Sequence, residues 1–474
     1  MRTLFTYQKI GASRRAAKAT LPRDRGQTAL ARGVALAACL ALAACGAEKP
    51  AEGVIGYVAG FAGFVSAEEP RAVLVGEDIL SAGGTAADAA TAMAATLTVT
   101  LPSRAGWMGG GVCLSRQPKD KSVQSFVFLP QPLPGGGFAP GLPRGLYALH
   151  AASGALRWET ILAPAENLAR FGTPVSRALA KDIAALGSPA ALGEGVRQIF
   201  TRKDGALLRE GDNLLQMRAS TLMTALRMKG VGEAYGGPLG QLIAAAMPER
   251  AEERRTALRG YRVTKPAPVT AEVGNEIAYF PPAPFAGARA ARAWIAAGEA
   301  ESAKPARIAG AEPAISGYGA TGFVVVDRGG MTVACTLSMG QIFGAGQTLG
   351  DTGLLAYSPL DGGDLDADAM LPMLAGNKYV KDLRIAAVGA GATAVPDVLD
   401  FAARARFAGE NAHAASAAVA AAGDAGSRVT GVSCPDGAPS HVVNCTLALD
   451  PRGAGVSRAV GIDLNASGAK VQFQ

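Results

Sequence analysis

The sequence has only three histidines, His150, His413 and His441, and they stand far apart. Zinc centres draw on clustered His and Cys, and a Ser-His-Asp constellation turns on one well-placed His. Isolated histidines argue against both, so no metal site and no cofactor is expected. No Gly-x-Ser-x-Gly elbow and no phosphate-binding glycine loop occurs, which argues against serine-hydrolase and P-loop chemistry. After residue 44 there is no apolar run of about 18 residues, so no membrane-spanning helix is predicted there. Excess charge is also missing. The net charge is +7, but residues 1–44 alone hold eight Lys or Arg against one Asp, which leaves the remainder neutral. A nucleic-acid partner is therefore not expected.

What is present begins with a leader. A basic stretch ending at Arg32 precedes the apolar run Val34 to Ala44, followed by Cys45-Gly46. This is the pattern of an export signal, too short to span a bilayer. Leu42-Ala43-Ala44-Cys45 resembles a bacterial lipobox, which implies loss of residues 1–44 and a lipid on Cys45. Leu36-Ala37-Ala38-Cys39 has the same pattern but too short an apolar run before it. The implied location is the bacterial cell envelope, facing the periplasm. Gly46 rather than Asp after the Cys points to the outer membrane, reached through the anchor at Cys45. An exported chain can keep disulfides. Cys434 and Cys445 flank turn residues, which predicts a local bridge. Cys113 and Cys335 lie in apolar strand-like runs and are either buried thiols or a second bridge.

The composition is that of a globular protein, with 49% hydrophobic residues over 474 positions. Residues 46–66 lead into a first strand. The spacing of Val73, Leu74, Ile79 and Leu80 predicts a helix over 70–82, ended by Gly83-Gly84. Thr85 can cap a second helix reaching about Thr98. That helix is built from small side chains, so it must lie close against something flat, such as a sheet. Gly109 to Gly111 open a strand at Val112 to Leu114, and residues 131–145 are rich in Pro and Gly. Gly317 to Asp327, the turn Arg328-Gly329-Gly330 and Met331 to Ser338 read as a β-hairpin. Further on, residues 402–422 predict one Ala-rich helix, with short strand patterns near Val442-Val443 and Val460 to Leu464. Small-residue helices alternating with apolar strands predict an α/β class.

Several of these segments, taken in order, resemble the gamma-glutamyltransferase family. They are Ala82-Gly-Gly-Thr-Ala-Ala-Asp-Ala-Ala90, Pro102 with Gly106 to Gly111, Trp158 to Ala169, Gly172 to Ser176, Leu258 to Val263 and Tyr279 to Pro282. The hairpin at 317–338 and Phe343-Gly-Ala-Gly346 complete the series. The resemblance covers roughly residues 53–365, and no match is found after about residue 405. It implies the four-layer αββα sandwich of N-terminal-nucleophile hydrolases. It also implies three regions: the signal at 1–44, a large-subunit-like part at 45–318 and a small-subunit-like part at 319–474.

Enzymes of this family cut their own chain before a Thr at the start of the hairpin strand, freeing an amine that serves as base for the Thr hydroxyl. In this chain that position holds Ala320, with Thr321 one residue on. Thr321 is either a displaced nucleophile or an ordinary strand Thr. The supporting hydroxyl of the family, counted from Ala320, falls on Ser338. The substrate Arg belongs in a Phe-Arg-Glu context, where this chain has Ser125-Phe-Val-Phe-Leu-Pro130. The substrate Asp falls near Asp361, which is either a ligand or a plain loop residue. Met370-Leu-Pro-Met-Leu374 stands where the family has a Ser-Ser pair. Gly389-Ala-Gly391 stands where backbone amides stabilise an oxyanion. Two functions follow. One is a catalytically degenerate exported lipoprotein that binds an unknown small molecule or envelope protein. The other is a diverged amidohydrolase that cleaves itself before Thr321 and acts on a gamma-glutamyl or other acyl-amide.

Overall fold

In a computed structural model, residues 61–460 are described except 189, 191, 300–316, 361–368, 423–426, 439–443 and 450–455. All of them belong to one of the two units into which the chain divides, residues 55–474. In chain order the first elements are β1 (Gly63–Ala67), α1 (Pro70–Ser81), α2 (Ala86–Thr100), β2 (Gly110–Arg116), β3 (Val123–Val127), β4 (Gln131–Pro132) and β5 (Phe138–Ala139). Next come α3 (Leu142–Ser153), α4 (Trp158–Phe171), β6 (Thr173–Pro174), α5 (Arg177–Ala185), α6 (Glu194–Phe200), β7 (Asn213–Leu214), α7 (Met217–Lys229), α8 (Pro238–Ala245) and α9 (Ala251–Gly260). They are followed by β8 (Val269–Val273), β9 (Glu276–Phe280), α10 (Gly287–Glu299), β10 (Tyr318–Asp327), β11 (Thr332–Gln341), β12 (Met370–Asn377) and β13 (Leu383–Ala390). The last are α11 (Ala394–Arg406), α12 (Ala412–Ala422), β14 (Arg428–Ala438), β15 (Thr446–Leu449) and β16 (Val456–Val460).

Two six-stranded antiparallel sheets carry the fold, in the orders β16-β1-β10-β11-β2-β3 and β15-β14-β13-β12-β9-β8. The inner faces meet through Phe64, Leu114, Val324 and Val326 of the first sheet and Leu374, Ala386, Val388 and Val432 of the second. Alternate residues of the same strands point outward. Phe323, Val325 and Cys335 pack with α1 to α4. Leu371, Met373, Ile385 and Ala387 pack with α10 to α12. The result is four layers, helices outside and sheets within.

The local sequence explains the first helices. Pro70 opens α1, and the Glu69 carboxylate accepts from the Ala72 amide at 2.9 Å. Thr85 and Asp88 form a capping box at the start of α2. All fifteen residues of α2 are buried, and it lies on β10 and β11 as its small side chains predict. Asp88 also accepts from the Ala155 and Leu156 amides and meets His150 at 3.1 Å. Burial works against its ionisation, but His150 and these amides hold its carboxyl below the usual value.

One expectation needs correction. The Ala-rich stretch 402–422 is split between α11 and α12. The break comes where Gly409 takes a φ of 71° and the Asn411 side chain accepts from the Ala414 amide, capping a new helix. Of the strand pattern at Val460 to Leu464 only Val460 is described, as the last residue of the strand Val456–Val460 beside β1 in the first sheet. Val442-Val443 and residues 461–474 lie outside the described residues. The Pro/Gly-rich segment forms the small hairpin β4–β5. Cys113 is joined to Cys335 across β2 and β11, and Cys434 to Cys445.

Candidate functional site

The hairpin β10–β11 decides what faces what. A register shift between Gly319 and Ala320 sets Ala320 opposite Ser338 and Thr321 opposite Leu337. Side chains of successive strand residues leave opposite faces, so Ala320 and Thr321 enter different layers.

Ala320 faces the second sheet. It lies in a buried apolar cluster with Val112, Val127, Phe285, Met370 and Ala390. Val127 follows Phe126 in the segment where the family resemblance places an Arg, and Met370 opens the segment where it places two serines. Ala390 lies between the two expected oxyanion glycines. The fold therefore brings together Ala320 and the segments where the resemblance places its partners, and the residues of this cluster are apolar. Ser338 lies across the ladder on the same face, 3% exposed, and its hydroxyl accepts from the Gly340 amide at 2.8 Å. The Gly391 amide donates to the Ala369 carbonyl at 2.9 Å. Gly389 sits in β13 between Leu371 and Val429. A Cβ there would meet Val398 Cγ2 at 2.5 Å, so this glycine lets α11 approach the sheet. Asp361 and Cys45 lie outside the described residues.

Thr321 enters the helix-covered layer with Phe323 and Val325 and is fully buried. Its hydroxyl donates to Glu68 Oε2 at 3.3 Å, so it does not face an open cleft. Glu68 is held in turn by Arg104, whose Nη1 donates to both carboxylate oxygens at 3.0 and 3.2 Å. The other edge of the same guanidinium grips Asp182, with Nε and Nη2 each donating at 2.8 Å. The Ser103 hydroxyl donates to Asp182 at 2.6 Å. Arg428 of the second sheet completes the set, 3.5 Å from Glu68. Burial disfavours the cation, but Glu68 and Asp182 push the Arg104 pKa upward, so it stays charged. Sequence reasoning missed this network. Its one local signal is Arg104 standing between Leu101-Pro102-Ser103 and the glycine-rich run. Nothing in the sequence links positions 68, 104 and 182.

Comparison with known proteins places this architecture. The family model described as gamma-glutamyltranspeptidase matches residues 72–129 and 138–296. Glutathione hydrolase proenzyme of Escherichia coli is 27% identical over 251 residues, covering 48% of this chain and 43% of that protein. Glutathione hydrolase proenzyme 2 of Schizosaccharomyces pombe is 29% identical over 200 residues, covering 38% of this chain and 33% of its own length. The chain thus spans under half the length of these curated relatives. The solved cephalosporin acylase of Bacillus halodurans superposes with a TM-score of 0.70 at 18% identity, over 87% of this chain and 98% of that one. That likeness concerns the fold, the αββα sandwich of N-terminal-nucleophile hydrolases. In its sequence matches the chain is similar to the gamma-glutamyltranspeptidase family, whose model covers just under half of it.

Proposed function

We propose that this chain is an exported lipoprotein of the family that no longer performs N-terminal-nucleophile catalysis and acts as a binding or structural protein of the cell envelope. The observation behind this reading is the convergence of Val127, Ala320, Met370 and Ala390 in one buried apolar cluster. Acyl transfer requires a nucleophile there, and recognition of a free glutamyl group requires charge partners for its carboxylate and amine. Removing one partner of a bound charge pair costs on the order of 2–5 kcal/mol. Glutathione, named for the curated relatives, is on this reading not turned over. The leader and Cys45 support export and lipidation, with an envelope protein or a small molecule as partner.

The test uses the chain from residue 46. Its intact mass and denaturing-gel pattern are followed over days, together with hydrolysis of gamma-glutamyl-p-nitroanilide. One uncut chain without turnover is expected. Two fragments meeting between Ala320 and Thr321, with turnover, would overturn the reading in favour of an amidohydrolase using Thr321. Lipidation is checked separately by labelling the full chain with a fatty acid in a bacterial host. Label should be incorporated by the wild type and lost in Cys45→Ser.

A further inference from the structure

The Pro/Gly-rich segment that sequence analysis set apart has a structural outcome the family relation does not account for. Residues 130–137 are the stretch left unmatched between the two segments of the family model. They include β4 and a loop in which Gly135, Gly136 and Gly137 take φ values of 78°, 117° and 73°. Only glycine occupies three such positions in succession without strain, and it gives up more conformational freedom on ordering than any other residue. The loop closes on itself, the Leu133 amide donating to Gly137 O and the Gly136 amide to Leu133 O, each at 3.0 Å.

Arg254 of α9 holds this loop from beneath while only 4% exposed. Its Nη1 donates to the carbonyls of Pro134 and Gly136, and its Nε and Nη2 donate to Ile243 O at 3.2 and 3.0 Å. A guanidinium has five N–H groups, and these bonds use four. Nη2 retains one, and a Cβ on Gly137 would lie 3.6 Å from that nitrogen. Between the loop and α8 opens a cleft of about 350 Å³. Met108, Phe138, Ile243, Met247 and Tyr357 line it, with Phe138 and Tyr357 meeting edge to face at 4.9 Å. Pockets of about 300–1,000 Å³ with apolar walls and few polar groups are the usual form of small-molecule sites. This one belongs to the helix-covered side of the first sheet: Met108, Ile243 and Tyr357 share a core with that side, whereas Ala320 lies in a different cluster between the sheets.

We propose that this cleft binds a small carboxylate with an apolar body, an acyl or aryl chain, its head set against Arg254. Apolar walls supply burial, the two methionines adapt to chain shape, and the remaining Nη2 hydrogen accounts for an anionic head. The proposal is independent of whether the chain is catalytically silent or lipidated.

Calorimetric titration of the chain from residue 46 with sodium decanoate tests it, beside decanol and acetate. Saturable one-to-one binding of decanoate is expected, with decanol at least tenfold weaker and acetate without measurable binding. Ala246→Trp, at an exposed position of the wall, should weaken decanoate at least tenfold without moving the melting temperature. Ala356→Phe, at another lining position, should do the same if the first variant folds poorly. Absence of saturable decanoate binding would overturn the proposal, as would equal affinity in both filled variants. Equal binding of decanol and decanoate would overturn the role given to Arg254.

Discussion

Ala320 and Thr321 are neighbours on one strand, yet they stand in opposite chemical worlds. On the inner face, Ala320 packs in an apolar cluster, with the Ser338 hydroxyl across the ladder. On the outer face, Thr321 touches a buried array in which Glu68, Arg104 and Asp182 satisfy one another. A surface that binds charged substrate must keep charge uncompensated until the substrate arrives. The cluster around Ala320 is built from apolar side chains, the buried Arg116 of the same sheet face is taken up by the Gly330 and Lys381 carbonyls, and on the outer face Glu68 and Asp182 share Arg104. Both positions are closed interiors, Ala320 and Thr321 each being almost fully buried.

The largest test of that contrast is Arg104→Leu. It leaves Glu68 and Asp182 buried without their shared cation, and should cost about 3–5 kcal/mol in urea unfolding. A loss near zero would mean that water reaches the array and that the outer face is not a closed interior. Asp88→Asn acts on the same layer at the start of α2 and should cost about 2 kcal/mol, in the upper range for a lost helix cap. Its sign with pH is fixed. Burial opposes it, but His150 and the backbone amides hold the folded carboxyl below the usual Asp value, so its contribution is present above that value and is lost as pH falls through the lower folded value. Wild type and variant should therefore differ at pH 7 and converge at low pH, as read from chemical denaturation across pH. The inner face is probed by Ala320→Thr, which restores the hydroxyl of the family within an apolar cluster. It should cost about 1–2 kcal/mol and leave the chain uncut on a denaturing gel. Cleavage in this variant would show that only the nucleophile had been lost and that the rest of the processing machinery survives. The smallest effect is expected for Thr321→Val, which removes one hydrogen bond to a carboxylate that Arg104 already satisfies. A cost of about 1 kcal/mol is expected, with no change in chain integrity.

Much of the fold was legible residue by residue. The capping pair Thr85 and Asp88, the glycine turn at 329–330 and the β-branched run of β10 each encode local structure, because caps, turns and strand patterns depend on near neighbours. The Ala-rich composition of α2 even announced its flat partner. The site was legible in another sense. The resemblance singled out positions, and Ala320, Val127 and Met370 were readable as departures from its pattern. Two things were not: that these three residues meet, and that Thr321 turns away from them. Both depend on strand register, set here by the irregularity at Gly319, and a shift of one residue reverses every side chain.

The sequence by itself therefore carried the family resemblance, the α/β class and the identity of the residues that stand where the resemblance leads one to expect reactive ones. The tertiary structure decided what those replacements became. It closed Ala320 into an apolar seam and gathered Glu68, Arg104 and Asp182 from three distant segments. It also stretched a three-glycine loop over a cleft gripped by Arg254. The physical reason is range. Caps, turns and periodicity act within a few residues, whereas burial, charge compensation and cavity shape arise only when segments hundreds of residues apart share one interior.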